Sequence, residues 1–196
     1  PELALAGEWS GLRWPLAEVT DVESPFGAFS VTGSLPYAFD VRASAKAPDL
    51  PAADFTATGS ADREQVVLDR FDGQLMGGRL QGSGRLSWTG ARAWNARLEG
   101  QRLDIATVRP DLPGRVTFAA AIEGRGFTPD APWTMRLASL SGTVLGRALT
   151  GRGEVAHRDG TYDLRGVRVA NGPSHVDVDG RWGSSIDLRW NADIRQ

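Results

Sequence analysis

The sequence predicts an all-β fold, an elongated and mainly antiparallel sheet. Apolar residues recur with a period of two along most of the chain, and glycine and proline interrupt these runs at short intervals. No convincing stretch carries apolar residues at the i, i+3, i+4 and i+7 spacing of a helix. At 196 residues, with 24 glycines and 11 prolines, the chain suffices for one sizeable domain or an extended repeat, and it requires no second domain.

Tyr37, Phe39 and Val41 alternate with Ala38 and Asp40, and the same rhythm returns at Trp94, Ala96 and Leu98. Leu103 to Val108, before Pro110, has room for one helical turn. Beyond it come Val116, Phe118, Ala120 and Ile122, then Trp133, Met135 and Leu137. Tyr162 and Leu164 flank Asp163, while Val176 and Val178 face away from Asp177 and Asp179. From Ile186 to Arg195 every even position is apolar (Ile186, Leu188, Trp190, Ala192, Ile194) and every odd one polar, which gives one dry and one wet face. Thr89-Gly90, Asp159-Gly160 and Asn171-Gly172-Pro173 separate the runs, so hairpins joined in a meander are expected. A parallel sheet would need crossover helices and continuously apolar strands, and neither is present.

An internal repeat extends this pattern. Shifted by 69 positions, Leu68 falls on Leu137, Phe71 on Leu140, Gly73 on Gly142 and Gly77 on Gly146, and the match runs on through Gly82 on Gly151 to Leu86 on Val155. Repeated amphipathic units indicate an architecture of local contacts whose length follows the number of units. The chain therefore reads as one elongated β-repeat segment, 1–196, with copies at about 68–136 and 137–196. Its start at Pro1-Glu2-Leu3-Ala4, without an initiating Met or a leader, suggests a fragment of a larger protein.

Composition removes several function classes. No cysteine is present, so disulfides and thiolate metal sites are excluded, and two histidines argue against a multi-histidine metal centre. Lys and Arg number 22 against 24 Asp and Glu, without a block of like charge, which disfavours nucleic acid as a partner. No apolar run approaches the roughly 18 residues of a membrane span. Gly151-Arg-Gly153-Glu-Val-Ala156 has the spacing of a dinucleotide-binding turn, but the required helix is missing, because His157-Arg-Asp159-Gly leads into Tyr162. These glycines read as strand glycines. His157 with Asp159, and His175 with Asp177 and Asp179, imitate a metal or acid–base cluster but are expected on wet faces or at turns. No G-x-S-x-G elbow occurs, and no pair of carboxylates stands out for glycoside chemistry. The reading is of a non-enzyme without cofactor. Seven tryptophans (Trp9, Trp14, Trp88, Trp94, Trp133, Trp182 and Trp190) suit a core between two sheets, whereas a sugar-binding platform would set such rings on an exposed face with polar clusters nearby.

Gly78-Arg-Leu-Gln-Gly-Ser-Gly-Arg-Leu-Ser-Trp88, followed by Ala93-Trp94-Asn-Ala-Arg-Leu98, Leu103-Asp-Ile-Ala and Pro113-Gly114-Arg-Val, resembles the TamB family. Trp133-Thr-Met-Arg-Leu with Leu140-Ser-Gly-Thr-Val-Leu-Gly-Arg resembles the family's next unit, and Gly11-Leu-Arg-Trp14-Pro15-Leu16 its R-W-P element. Ile105 stands where the family's L-D-P stretch has proline. The resemblance, to a C-terminal-type β fragment, implies a periplasmic segment of a protein anchored in the inner membrane of a Gram-negative bacterium by a helix outside this chain. It also implies a TamA-like, Omp85-type outer-membrane partner. The implied roles are phospholipid transport between the membranes and support of outer-membrane protein and autotransporter assembly.

The implied fold is a sheet rolled into an open half-pipe with an apolar interior groove for phospholipid acyl chains. Its expected lining is Tyr37, Phe39, Val41, Leu86, Trp88, Trp94 and Leu98, then Val116, Phe118, Ile122, Trp133, Met135 and Leu137, and finally Tyr162, Leu164, Val176, Val178, Ile186, Leu188, Trp190 and Ile194. The alternative is a closed sandwich acting as a scaffold or chaperone in outer-membrane protein or autotransporter secretion. Periodicity does not separate the two.

Overall fold

The structure, a computed structural model, describes residues 2–14, 22–47, 50–128 and 130–195. Its strands are Leu3–Trp14 (β1), Val22–Gly33 (β2), Tyr37–Ala47 (β3), Leu50–Ala61 (β4), Gln65–Leu75 (β5), Gly78–Ser87 (β6), Ala93–Asp104 (β7), Gly114–Arg125 (β8), Trp133–Val144 (β9), Arg147–Arg158 (β10), Thr161–Asn171 (β11), Ser174–Trp182 (β12) and Ile186–Asp193 (β13). They form one sheet in strict sequence order, every neighbouring pair antiparallel, and the sheet does not close on itself. Among the described residues the only helix is a 3-10 turn at Ile105–Thr107, capped by the Asp104 carboxylate, which accepts from the Ala106 N–H at 3.1 Å. It falls within the one stretch where the sequence allows a helical turn.

Local chemistry dictates the meander. Met76-Gly77 and Leu145-Gly146 both close two-residue hairpins with positive φ at both positions (54° and 65°, then 53° and 74°), the backbone a tight hairpin needs and glycine supplies most readily. The two turns are 69 positions apart and occupy equivalent places in the repeat. The repeat also carries its irregularity: the β5–β6 register slips between Leu68 and Phe71, and the β9–β10 register slips between their counterparts Leu137 and Leu140.

Register then decides which side of the sheet each residue takes. One rung can be followed across all thirteen strands: Leu5, Val31, Phe39, Gly59, Leu68, Gly84, Ala96, Ile122, Met135, Val155, Leu164, Gly180 and Leu188. Every member is apolar or glycine. On the other face, cross-strand neighbours are polar: Arg42, Thr56, Asp72, Gln81 and Glu99 form one such rung. Arg136, Glu154 and Arg165 make another ladder there, with Arg165 3.3 Å from Glu154. A one-residue slip would exchange the faces, so the alternation itself pins the pairing.

Among the described residues no second layer covers the apolar face. Only Ala43, Leu103 and Val144 are buried hydrophobic residues among those described. The accessible surface is 13122 Å² for 21.0 kDa, whereas a compact monomer of that mass exposes about 9,000 Å². The closed-sandwich alternative needs a second sheet, and the described residues supply one open sheet, consistent with a half-pipe.

The wet face carries its own anchor at Asp72. Arg79 forms a two-pronged pair with it (Nε to Oδ1 2.8 Å), Arg70 donates at 2.9 Å and Gln81 at 3.0 Å. These bonds, Arg79 first and Arg70 second, hold the Asp72 carboxyl far below the usual carboxylate range. A depressed folded pKa gives stability that is present above the unfolded carboxylate value and fades as pH falls through the folded one. Asp72→Asn should therefore lower stability at pH 7, and the gap to the parent should shrink between about pH 4 and pH 2 in urea titrations.

Candidate functional site: an apolar groove

The uncovered face is the largest feature of the molecule. Thirteen strands about 4.8 Å apart make it about 58 Å long. The strand positions among the expected lining residues, from Tyr37, Phe39 and Val41 through Val116 and Phe118 to Ile186 and Trp190, all share this face through the registers. Trp88 and Ile194 lie just beyond the ends of β6 and β13. Trp190 is 71 % exposed, so this side chain faces an open trough and not a core.

A cavity of about 740 Å³ sits on this face over β5 to β7, a size that suits a small ligand. Its walls include Val66, Leu68, Phe71, Leu80, Leu86, Trp94 and Leu98, with Phe127 and Trp133 at one end. Val66, Leu68, Phe71, Leu80 and Phe127 are lining residues that alternation did not single out. The internal repeat held the signal for Leu68, Phe71 and Leu80, which align with Leu137, Leu140 and Leu149 on the same face.

Glycine partners let the aromatic rings lie down. Gly27 is opposite Trp9, Gly100 opposite Phe118 and Gly124 opposite Trp94, and a Cβ on any of these glycines would run into the ring. The rings thus cover backbone where other residues would project, which levels the surface. Gly124→Leu should push Trp94 outward and break its Nε1–H bond to the Gly126 carbonyl, now 3.0 Å. The expected cost is about 1–3 kcal/mol, checked by denaturation and by a shift of tryptophan emission to the red.

His157 departs from the expectation. Counted among wet-face or turn residues, it is buried on the apolar face, because its register partners are Trp133 and Tyr162. It stacks on Trp133 with centroids 5.8 Å apart and leans on Tyr162 at 4.8 Å, with Nδ1 3.4 Å from the Ala131 carbonyl oxygen. Alternation along β10 does place it on that face, since Leu149, Gly151, Gly153, Val155 and His157 share one side, and the extra residues of the two register shifts fall on β9 and β11. His175 sits on the polar face 3.6 Å from Asp177, and Asp179 accepts from the Gly166 N–H at 2.6 Å. Among the described residues no three His, Asp or Glu side chains converge as a metal site. Gly151 and Gly153 lie in strand β10, packed against Leu140 and Val167, with no helix after them. The displaced pKa values (Asp62, Asp72, Arg79, Arg109 and Asp111) all belong to turn or ion-pair groups outside the groove.

Pro15 and Leu16 of the R-W-P element lie outside the described residues. Among the described residues no helix is long and apolar enough to cross a membrane. The family model described as TamB, N-terminal domain, matches residues 2–196. The match is to the N-terminal domain and not to a C-terminal-type segment. No solved structure matches the chain.

Proposed function

The chain belongs to the TamB family, membrane-anchored periplasmic proteins of the translocation and assembly module, and from that premise we propose that this segment shields phospholipid acyl chains in its apolar groove between the inner and outer membranes. The observation that carries the reading is the rung from Leu5 to Leu188, apolar or glycine at all thirteen strands on a face that none of the described residues covers with a second layer. Soluble proteins rarely leave so large an apolar patch without a partner for it.

The energetics suit passage more than storage. Each methylene removed from water is worth about 0.8 kcal/mol, so a partly enclosed chain gains roughly 10 kcal/mol before ordering costs. The gain is spread over many weak, equivalent contacts, so no single position traps the lipid. One leaflet's hydrocarbon is about 15 Å thick, and the groove is several chain lengths long.

In this reading the segment is one length of a conduit with no catalytic step and no cofactor. The whole protein is anchored in the inner membrane of a Gram-negative bacterium, and a TamA-like, Omp85-type protein receives the far end. Support of outer-membrane protein and autotransporter assembly follows from the same position. A scaffold or chaperone role draws on one observation, the unpaired outer edges of β1 and β13, which can accept a further strand.

Gentle purification from a bacterial periplasm followed by native mass spectrometry and lipid extraction tests the proposal. Bound phospholipid is the expected result. A lipid-free protein that also fails to move labelled phospholipid between vesicles would overturn it.

A further inference from the structure

The two long margins of the groove differ. At the margin formed by the β4–β5, β6–β7, β8–β9 and β10–β11 connections, the last rung carries Tyr37, Trp94, Trp133, Tyr162 and Trp182, with His157 among them. Trp133, His157, Tyr162 and Trp182 form a continuous stack with centroids 4.8 to 5.8 Å apart along the chain of contacts. The opposite margin carries Leu103, Val116, Gly142, Leu149, Asn171 and Ser174, and beyond them Gly114, Val144 and Arg147 end β8, β9 and β10. From β5 to β13 it has no Trp, Tyr or Phe in its last rung or its turns.

Two indole N–H groups on the aromatic margin point at its connections. Trp88 Nε1 donates to the Arg63 carbonyl at 2.7 Å, and Trp94 Nε1 to the Gly126 carbonyl at 3.0 Å. Each ring therefore has its polar end toward the wet margin and its body over the groove, the posture of tryptophan at a boundary between hydrocarbon and water. The β4–β5 and β6–β7 connections also present Arg63 and Arg92, and Arg125 and Arg158 end β8 and β10 at this margin with the parity of the polar face; all four are exposed and have no ion pair among the described residues. Consecutive connections are two strands apart, so these arginines recur about every 10 Å. Asp62, Glu64, Asp130 and Asp159 stand beside them, which balances the charge. Asp62 is occupied in capping its own turn, accepting from the Glu64 and Gln65 N–H groups at 2.7 and 2.9 Å.

We propose that this aromatic and arginine-bearing margin is the head-group side of the groove: bound phospholipids lie along the strands with their ester and phosphodiester region over it and their chain ends toward the opposite margin. Trp and Tyr fix the depth of the interface, Arg63 and Arg92 in the connections meet phosphodiester oxygens, and Arg125 and Arg158 hold the field positive at the rim behind them. The balance of signs suits a zwitterionic head group whose ammonium meets the neighbouring carboxylates. Lipid would then travel in one fixed tilt, with its polar end always at the same wet margin. The inference rests on the acyl-chain reading of the groove.

Two phosphatidylethanolamine probes in vesicles test it on the whole protein, one with a diazirine beside the ester and one at the chain terminus. After illumination, labelled peptides are mapped by mass spectrometry. The ester probe should label the Trp88–Arg92 and Phe127–Trp133 regions about tenfold more than the Leu103–Arg109 and Thr143–Arg147 regions, a ratio of about 1.4 kcal/mol, and the terminal probe the reverse. Equal labelling of both margins, or the inverse pattern, overturns the orientation and leaves the groove reading standing. No labelling of the apolar face by either probe removes the groove reading itself.

Discussion

Replacing Phe118 and Leu188 by aspartate should empty the groove of lipid while leaving the sheet folded. The two positions lie on β8 and β13, five strands or about 24 Å apart on the same apolar face, so their effects are separate. In the lipid-free protein the face is open to water, and a carboxylate there keeps its hydration. Against an acyl chain the same carboxylate loses water without gaining a partner, at about 3 kcal/mol for Asp in hydrocarbon. That corresponds to roughly a hundredfold loss of occupancy, read by native mass spectrometry beside a Phe118→Leu control that should keep its lipid. Loss of the Phe118 ring over Gly100 should cost about 1–2 kcal/mol of stability, measured by denaturation. A folded double variant that retains lipid would sink the proposal. If the variant unfolds instead, the apolar face is acting as a core, which contradicts its exposure.

The same positions show what a single sequence makes legible. Ile186 to Ile194 alternates so cleanly that its face, and the sheet's, can be read without neighbours. β1 and β4 are harder, since alanine, glycine and threonine dilute the rhythm in LALAGEWSGLRW and LPAADFTATGSA. Both strands nevertheless place residues in the groove, with Trp9 opposite Gly27 and Phe55 opposite Gly73. Pairing of glycine with an aromatic ring exists only between strands, so no scan along one strand finds it. His157 was misplaced for a different reason: it keeps the parity of Val155, but its polar ring and the Asp159-Gly160 turn beside it read as wet. The open trough was legible through the family resemblance and not through alternation. Alternation says that a face is apolar, while the absence of anything to cover it is a property of topology.

Topology also predicts how the protein breaks. Ala120→Pro should split the sheet's unfolding into two steps. Ala120 is in β8, an interior strand paired to Leu98 on one side and Leu137 on the other, and proline removes its N–H from the ladder and crowds its neighbour. In a layered domain the surrounding core would spread that loss. Here strands pack chiefly on their sequence neighbours, so the coupling between β1–β7 and β9–β13 passes through β8. A local penalty of about 3 kcal/mol or more should therefore fall on that one link. Guanidinium titrations followed by hydrogen exchange should show the two flanking halves losing protection at different denaturant concentrations. Ala119→Thr, one residue away on the polar face, should leave the transition nearly unchanged, since Thr suits a strand and Ser139 is its neighbour. The same break should slow passage of lipid along the groove more than it lowers the lipid bound, because each half keeps its lining while the path between them is interrupted. A single unshifted transition in the proline variant would mean that contacts across the trough, and not the chain of neighbouring strands, hold the sheet together.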